Sequence, residues 1–376
     1  MLNRLLGAAL IFLLAAAPAS AEITTTAQHG IIMDADTGAV LWAKDAFTPM
    51  PPASMSKLMT VDLLFSRLKD GRVKLDTTFV VSERAWRERS GSEMFVNIND
   101  KISVENLIRG IVIQSGNDAC IVVAEALGGT VEGFVKMMND RAKELGLKQS
   151  HFVNPDGLDQ PPGQRMSAED LAKLARHIIK TYPEFYHFFG EREFVWTNIH
   201  QPNRNPLLGK VEGADGLKTG HLDQSGYGLV GSAIRGGQRM ILVLNGLASE
   251  KDRADEGARL MDLAFREFRR YTLFKPGDAI VQAPVFAGSQ ATVPLTVAAP
   301  ANLTLQVDSR PGLKVAAHYD GPLRAPIAQG QQVGTLVVTA PDFPGMTVPL
   351  VAAQPVDEVG FFGRIAIGLK AMFGSR

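Results

Sequence analysis

The chain has 376 residues, of which 45% are hydrophobic and 21% charged, a composition typical of globular proteins and a length that favours two domains. Lysine plus arginine and aspartate plus glutamate each total 39, so the sequence lacks the basic excess that nucleic-acid binding requires. We therefore expect no nucleic-acid partner.

Residues 1–21 have the pattern of a secretory signal peptide. Arg4 precedes an apolar stretch at 5–17, and small residues at 19–21 form a small-x-small cleavage site. A membrane-spanning anchor is the alternative, but the apolar stretch is shorter than the roughly 20 residues that a span requires. We expect an exported protein whose mature chain starts near Glu22.

Residues 22–274 are predicted to form an α+β domain. Two apolar runs within 29–43 flank the turn-forming residues 34–38, which is typical of a β-hairpin, and a second pair of strands is predicted at 226–234 and 240–244. Strands joined by tight turns are antiparallel, so we expect helices packed on an antiparallel sheet. Apolar residues at three- and four-residue spacing predict helices at 55–70, 104–110, 118–127, 130–145, 168–181 and 252–271.

Residues 275–355 differ in pattern from the preceding domain. Short runs of valine, isoleucine, leucine and threonine alternate there with proline, glycine, aspartate and serine, and no helical period is present. We predict a small all-β sandwich domain, which we expect to position or bind rather than to catalyse.

Residues 356–376 are predicted to form an amphipathic C-terminal membrane anchor. Phe361, Ile365 and Leu369 fall on one helical face, and Arg364 lies off it. The segment is too short to span a bilayer, but its apolar and basic residues are typical of a helix that lies at a membrane surface. A terminal helix docked on its own protein is the alternative.

The first candidate for chemistry is an S-x-x-K pattern formed by Ser54 and Lys57. A spacing of three places both side chains on one face of a helix. A serine hydroxyl needs a base within hydrogen-bonding reach to act as a nucleophile, and a lysine can be that base when burial or another cation lowers its pKa. A partly buried serine beside a lysine that extends to solvent is the other interpretation.

Two further segments place polar side chains next to predicted elements. Ser115-Gly116-Asn117 precedes a helix, and Lys218-Thr219-Gly220 leads into a strand. Alone, each is explained as a helix entry or a strand start. Together the patterns S-x-x-K, S-x-N and K-T-G, at gaps of about 60 and 100 residues, form the set that characterises penicillin-binding proteins and class A β-lactamases.

On these motifs the chain resembles the penicilloyl-serine transferase superfamily. It is most similar to the low-molecular-mass penicillin-binding proteins that act as serine-type D-alanyl-D-alanine carboxypeptidases, the peptidase S11 type. The resemblance covers nearly all of the mature chain, including the β-rich domain and the C-terminal segment. It is carried by the segments PPASMSKLMT, IRGIVIQSGNDAC, HFVNPDGLD, NRNPLL and GADGLKTGHLDQSGYGLVGSA.

The resemblance implies a fold, partners and a location. The fold would be a β-lactamase/transpeptidase-like domain followed by a small all-β sandwich. The substrate would be a peptidoglycan stem peptide ending in D-Ala-D-Ala, and β-lactam antibiotics would acylate the enzyme. The protein would lie on the periplasmic face of the inner membrane, attached through its C-terminal amphipathic helix.

The resemblance also implies the roles of the reacting groups. Ser54 would attack the carbonyl between the two terminal D-alanines, and water would hydrolyse the resulting acyl-enzyme. Lys57, uncharged because it is buried and close to Lys218, would accept the serine proton. Ser115, oriented by Lys218, would pass a proton to the leaving amine, and Asn117 would hold both the substrate amide and Lys57.

The remaining predicted residues would bind the substrate. The backbone N–H groups of Ser54 and His221 would form the oxyanion hole. Thr219 would hydrogen-bond the substrate carboxylate, and Gly220 would allow a close approach of the backbone. Arg253 is a candidate second partner of that carboxylate because a guanidinium can bind two oxygens, whereas a surface arginine on a helix is the alternative.

Three other functions would fit the same fold. A class A β-lactamase needs a carboxylate that activates the deacylating water, and the corresponding region, HFVNPDGLD, contains no Glu-x-x-Leu-Asn segment. A D,D-endopeptidase would share all the motifs. A non-catalytic wall-binding scaffold would retain the fold, but the three intact motifs argue against it.

No metal or cofactor is expected. The seven histidines show no ligand spacing, and acyl transfer to serine requires no metal. The loop at 82–97 looks shorter than the corresponding loop of better-known family members, a departure that bears on the deacylation rate.

Overall fold

A computed structural model describes residues 23–88, 90–360, 363 and 365. The predicted signal peptide lies outside the described residues, as does most of the predicted C-terminal anchor. Within the described part of the chain, no helix is both long and apolar enough to cross a membrane.

The N-terminal domain is built on a five-stranded sheet with the order β2-β1-β9-β8-β7, in which every neighbouring pair is antiparallel. In chain order, the elements of this domain are β1 (His29–Asp34), β2 (Val40–Lys44), α1 (Lys57–Lys69), β3 (Thr78–Val80), α2 (Glu83–Arg87), β4 (Lys101–Ser103), α3 (Val104–Val112), α4 (Asn117–Gly128), α5 (Val131–Glu144), α6 (Ala168–Thr181), β5 (Glu193–Trp196), β6 (Ile199–Pro202), β7 (Ala214–Leu222), β8 (Gly226–Arg235), β9 (Gln238–Leu247) and α7 (Glu250–Glu267).

Both faces of this sheet are buried. Because successive side chains of a strand point to opposite faces, Ile31 packs with the helices α1 and α3 to α6, whereas Ile32 packs with α7. Strand β9 divides in the same way, with Val243 on the first face and Leu244 on the second. The sheet is therefore covered by helices on both sides, as the predicted α+β domain requires.

The second domain contains only strands and one short 3₁₀ turn among its described residues. Six strands form a sheet with the order β14-β16-β17-β12-β11-β15, and β10 pairs with β13. Side chains of β13, β16 and β17 share one hydrophobic core, so the predicted all-β domain is confirmed. Its strands are β10 (Phe268–Phe274), β11 (Val281–Phe286), β12 (Thr292–Val297), β13 (Ala301–Gln306), β14 (Lys314–Tyr319), β15 (Leu323–Arg324), β16 (Gln332–Ala340) and β17 (Phe343–Ala352).

The predicted helix at 252–271 is wrong at its C-terminal end. Helix α7 ends at Glu267, and β10 begins at Phe268. These residues form a strand and not a continuation of the helix, because Phe268 is buried against the sheet of the first domain and Tyr271 pairs with Leu303 of β13. By strand pairing, the β-rich part thus starts before the predicted boundary at residue 275.

Polar contacts join the two domains near this strand. The hydroxyl of Thr304 donates to the Asp34 carboxylate at 2.8 Å, and the Arg270 guanidinium pairs with the Asp36 carboxylate. Asp34 also accepts the backbone N–H groups of the β1–β2 turn, so the turn that was predicted from the sequence is part of the junction.

Candidate active site

Ser54 lies in a 3₁₀ turn, Ala53–Ser56, that leads directly into α1. The other three residues of the turn are buried, whereas the Ser54 side chain is partly exposed. Ser56 donates its hydroxyl proton to the Ala53 carbonyl at 3.0 Å, which fixes the turn. The second hydroxyl of the motif is therefore structural, and Ser54 is the one that faces the cavity.

Lys57 is the first residue of α1 and is fully buried. Its Nζ lies 2.8 Å from Ser54 Oγ. It also donates to Asn117 Oδ1 at 2.6 Å and to the backbone carbonyl of Asp156. Two groups from separate parts of the chain, Asn117 and Asp156, thus hold the amine beside the serine.

The loop before α4 places Ser115 and Asn117. Ser115 has φ 65°, a left-handed conformation that is uncommon outside glycine, and its side chain is buried. A Cβ on Gly116 would lie 2.8 Å from the Asp118 carboxylate and 3.0 Å from the Met94 backbone nitrogen, so only glycine fits between them. Asn117 Nδ2 donates to the Ser90 carbonyl at 2.5 Å, which uses one of its two hydrogens.

Strand β7 forms the edge of the five-stranded sheet and carries the K-T-G motif. Lys218 is buried and donates to Ser115 Oγ at 2.9 Å. A Cβ on Gly220 would lie 2.9 Å from the Pro52 carbonyl oxygen and 3.0 Å from the Ala53 Cβ. The glycine therefore allows the edge strand to pack directly against the turn that holds Ser54.

The two lysines have pKa values shifted toward the neutral amine. Burial lowers the pKa of Lys57, and the positive charge of Arg204 lowers it further, whereas the Asp156 carboxylate opposes the shift. Burial, and then repulsion from Lys57 and Arg204, hold the pKa of Lys218 well below its ordinary value. Burying an amine removes it from water, which disfavours its protonated form, and a second positive charge nearby disfavours that form further.

A cavity of about 430 Å³ opens in front of these groups. Arg253, in the first turns of α7, is buried, and its guanidinium lies 5.5 Å from the Tyr227 ring centroid. The Tyr227 ring in turn stacks on His221 with centroids 4.0 Å apart. The residues that line the cavity are Ser54, Gly91, Ser92, Ser115, Arg204, Thr219, Gly220, His221, Tyr227, Glu250 and Arg253.

All nine residues predicted from the sequence fall in one cluster. Lys57, Asn117 and Lys218 lie behind the cavity wall, where they bind one another or the serines. The other six line the cavity and are Ser54, Ser115, Thr219, Gly220, His221 and Arg253. The roles of the His221 backbone N–H and of the Thr219 hydroxyl stay predictions.

Sequence reasoning missed several groups at this site. Arg204 lines the cavity and lies in the NRNPLL segment, from which no role for this arginine is predicted. The Asp156 carbonyl, which accepts from Lys57, has no sequence signal because every residue carries a carbonyl. Ser92 belongs to the loop at 82–97, and its hydroxyl accepts a hydrogen bond from Arg204.

Comparison with known proteins agrees with this geometry. The family model described as D-alanyl-D-alanine carboxypeptidase, peptidase S11, matches residues 15–248, and the model described as penicillin-binding protein 5, C-terminal domain, matches residues 268–358. The D-alanyl-D-alanine carboxypeptidase DacC of Escherichia coli is 37% identical over 96% of this chain and 92% of its own length.

Solved structures give the same result. The crystal structure of penicillin-binding protein 5 from Haemophilus influenzae has a TM-score of 0.82 and 34% identity, covering 90% of this chain and 100% of that one. Penicillin-binding protein D2 from Listeria monocytogenes, in its cefotaxime-bound form, has a TM-score of 0.60 and 28% identity and covers 65% of this chain and 100% of its own. The chain therefore belongs to the peptidase S11 family of D-alanyl-D-alanine carboxypeptidases.

Proposed function

We propose that the protein is a serine D-alanyl-D-alanine carboxypeptidase that removes the terminal D-alanine from peptidoglycan pentapeptide stems through an acyl-enzyme on Ser54. The observation that carries the proposal is the fully buried Lys57 amine 2.8 Å from the Ser54 hydroxyl oxygen. A serine needs such a base to become a nucleophile at neutral pH.

The hydrogen bonds of Lys57 explain how it acts as a base. A neutral amine has two hydrogens and one lone pair, and two of its three contacts are acceptors without a proton to give, Asn117 Oδ1 and the Asp156 carbonyl. Both hydrogens are thereby used, and the lone pair points to the third contact, Ser54 Oγ. Lys57 accepts the serine proton as Ser54 Oγ bonds to the carbonyl carbon.

The leaving group needs a proton when its C–N bond breaks. Ser115 Oγ faces the cavity and is held by Lys218 at 2.9 Å. The proton taken by Lys57 reaches the D-alanine amine through Ser115, whose hydroxyl gives one proton and receives another. D-Alanine departs, and the acyl group remains as an ester on Ser54 until water hydrolyses it and restores the hydroxyl.

The substrate lies along the edge of β7 in this proposal. Backbone N–H groups of Ser54 and His221 stabilise the negative oxygen that forms on the carbonyl. The terminal carboxylate meets Thr219 and Arg253, which line the same cavity as Ser54. An arginine that is already buried and lies over the Tyr227 ring binds a carboxylate with little loss of side-chain freedom.

β-Lactams are proposed to acylate the same serine. Support comes from the Listeria relative, whose structure holds cefotaxime. The ester formed from a β-lactam keeps its leaving amine tethered, which hinders attack by water from that side. We further propose export through residues 1–21 and attachment to the periplasmic face of the inner membrane through residues 356–376, as the sequence pattern indicates.

D-Alanine release tests the proposal. Purified protein is incubated with a pentapeptide ending in D-Ala-D-Ala, and free D-alanine is measured for the natural chain and for Ser54→Ala. We expect release by the natural chain alone. Equal release by both, or none by the natural chain, would contradict the proposal.

Two other results would indicate a different activity on the same fold. A penicillin adduct that is hydrolysed within seconds would indicate a β-lactamase, and cleavage of cross-linked dimers without D-alanine release would indicate an endopeptidase.

A further inference from the structure

Glu250 lies in the active-site cavity, yet no step of the proposed reaction uses it. It is the first residue of α7, directly after the N-cap Ser249. Among the described residues that line the cavity, Glu250 is the one with an acidic side chain, whereas Arg204 and Arg253 are basic. An acid beside the groups that receive an anionic substrate calls for an explanation.

Glu250 forms an ion pair with Arg253. Its Oε1 accepts from Arg253 Nη2 at 2.7 Å. The two side chains differ in exposure, since Arg253 is 6% exposed and Glu250 is 72% exposed. Arg253 is also held by the Tyr227 ring, so the arginine is fixed and the glutamate can turn into water at small cost.

The negative charge of Glu250 acts on both arginines of the cavity, Arg253 and Arg204. Burial lowers the pKa of Arg253 and of Arg204, and the Glu250 carboxylate opposes that shift at each site. Arg253 Nε is buried and has no hydrogen-bond partner among the described residues. Glu250 thus supplies to Arg253 the kind of negative charge that a substrate carboxylate would supply.

We propose that Glu250 is a specificity-determining residue that pairs with the Arg253 guanidinium before a ligand binds and competes with the C-terminal carboxylate of the incoming ligand. The inference rests on the proposed function, because it requires that ligands place a carboxylate near Arg253. Glu250 keeps Arg253 oriented before binding and weakens the binding of every ligand that carries that carboxylate. Glu250 does not affect the binding of ligands that lack this carboxylate.

A purely structural role is the competing explanation. An acidic residue in the first turn of a helix is favourable because it faces the positive end of the helix dipole. Asp252 lies in the same turn of α7 but does not line the cavity. It provides a matched control, since Asp252→Asn removes the same charge from the same helix end.

The test compares the natural chain, Glu250→Gln and Asp252→Asn. Glutamine keeps an acceptor for Arg253 but removes the charge. For each protein we measure the second-order rate constant of acylation by benzylpenicillin and by its methyl ester, which lacks the carboxylate. We expect Glu250→Gln to raise the constant for benzylpenicillin about threefold, as for a partly exposed charge pair, and to leave the ester unchanged. High salt should reduce the difference in the benzylpenicillin rate constant between Glu250→Gln and the natural chain, because it screens the charge of Glu250.

Steady-state kinetics with a peptide substrate provide an independent test of the role of Glu250. With a substrate ending in D-Ala-D-Ala, Glu250→Gln should lower KM by a similar factor and leave kcat unchanged, because the competition ends once the carboxylate is bound. Asp252→Asn should change neither parameter.

Three outcomes overturn the inference while the proposed function stands. They are no change in Glu250→Gln, an equal change for penicillin and its ester, and the same change in Asp252→Asn. A natural chain that neither penicillin nor peptide acylates would refute the proposed function itself, and the inference with it. Thermal unfolding of all three proteins verifies that each is folded.

Discussion

Lys218 of β7 donates a hydrogen bond to Ser115 at 2.9 Å, although the two residues are 103 positions apart in the chain. The bond joins the edge strand to the loop before α4 and fixes a hydroxyl that would otherwise rotate freely. Both side chains are buried, so the bond forms largely out of contact with bulk water.

We expect Ser115→Ala and Lys218→Met each to lower the acylation rate constant by about 10²-fold, the contribution of one positioned proton donor. Because they act as one unit, the double variant should be no slower than the slower single variant. Stopped-flow acylation by a chromogenic cephalosporin measures all four proteins. Losses that multiply in the double variant would show that the two residues act separately.

The base must be unprotonated, so acylation should depend on pH. The lowered pKa of Lys57 places the titration below that of an ordinary lysine, and the rate constant should rise with pH through that value and then level off. Repulsion from Lys57 adds to burial in lowering the pKa of Lys218, so the charge on Lys57 also affects the protonation of Lys218. A rate constant that falls across this range would contradict the assignment of Lys57 as base.

Lys57→Arg provides the control for the pH profile. A guanidinium keeps its proton at every usable pH, so the variant should lose about 10²–10⁴-fold in acylation without gaining activity at high pH. Lys69→Arg makes the same change at the exposed end of α1 and should leave the rate constant unaltered.

The three motifs of the site were predictable from the sequence, but their convergence was not. S-x-x-K is local, since Ser54 and Lys57 are one helical turn apart. The contact of Lys57 with Asn117 spans 60 positions, and spacing alone does not determine such a distance. The sequence supported the grouping because the three motifs together resemble a known family.

Other features could not be predicted because their cause is tertiary. Residues 268–271 continue the helical pattern of α7, yet pairing with β13 makes them a strand. From the sequence, Glu250 is an ordinary acidic residue in the first turn of a helix. Its position in the cavity is what suggests a role in ligand specificity. The backbone carbonyl of Asp156 carries no residue-type signal at all.

Gly220→Ala tests how closely the edge strand must approach the nucleophile. The new Cβ would lie 2.9 Å from the Pro52 carbonyl oxygen, so β7 or the turn at 53–56 has to move. A displacement of this kind should lower acylation by about 10²-fold. Acylation at the natural rate, in a variant with the natural melting temperature, would show that the close approach is not needed.

Arg141→Met tests a buried ion pair that lies away from the cavity. Arg141 of α5 donates to the Asp62 carboxylate at 2.8 Å, and Asp62 is fully buried in α1. Removing the guanidinium leaves the buried carboxylate with His177 Nε2 at 3.3 Å but without the arginine charge, which should cost about 3–5 kcal/mol in the free energy of unfolding. Denaturant unfolding gives the value.

An exposed pair on the same helix is the control for that variant. Lys136 of α5 pairs with Asp140, and both are solvent-exposed. Lys136→Met should change the free energy of unfolding by no more than about 0.5 kcal/mol. Equal effects of the two substitutions would mean that burial of Asp62 does not set the cost.

The central claim is that Ser54 carries the acyl group, and peptide mapping of penicillin-treated protein tests it most directly. Mass spectrometry should place a single penicilloyl adduct on the peptide that contains Ser54. Ser54→Ala should lose the adduct, and Ser56→Ala, which removes the structural hydroxyl of the same turn, should keep it. An adduct that persists in Ser54→Ala, or that maps to another peptide of the natural chain, would contradict the assignment.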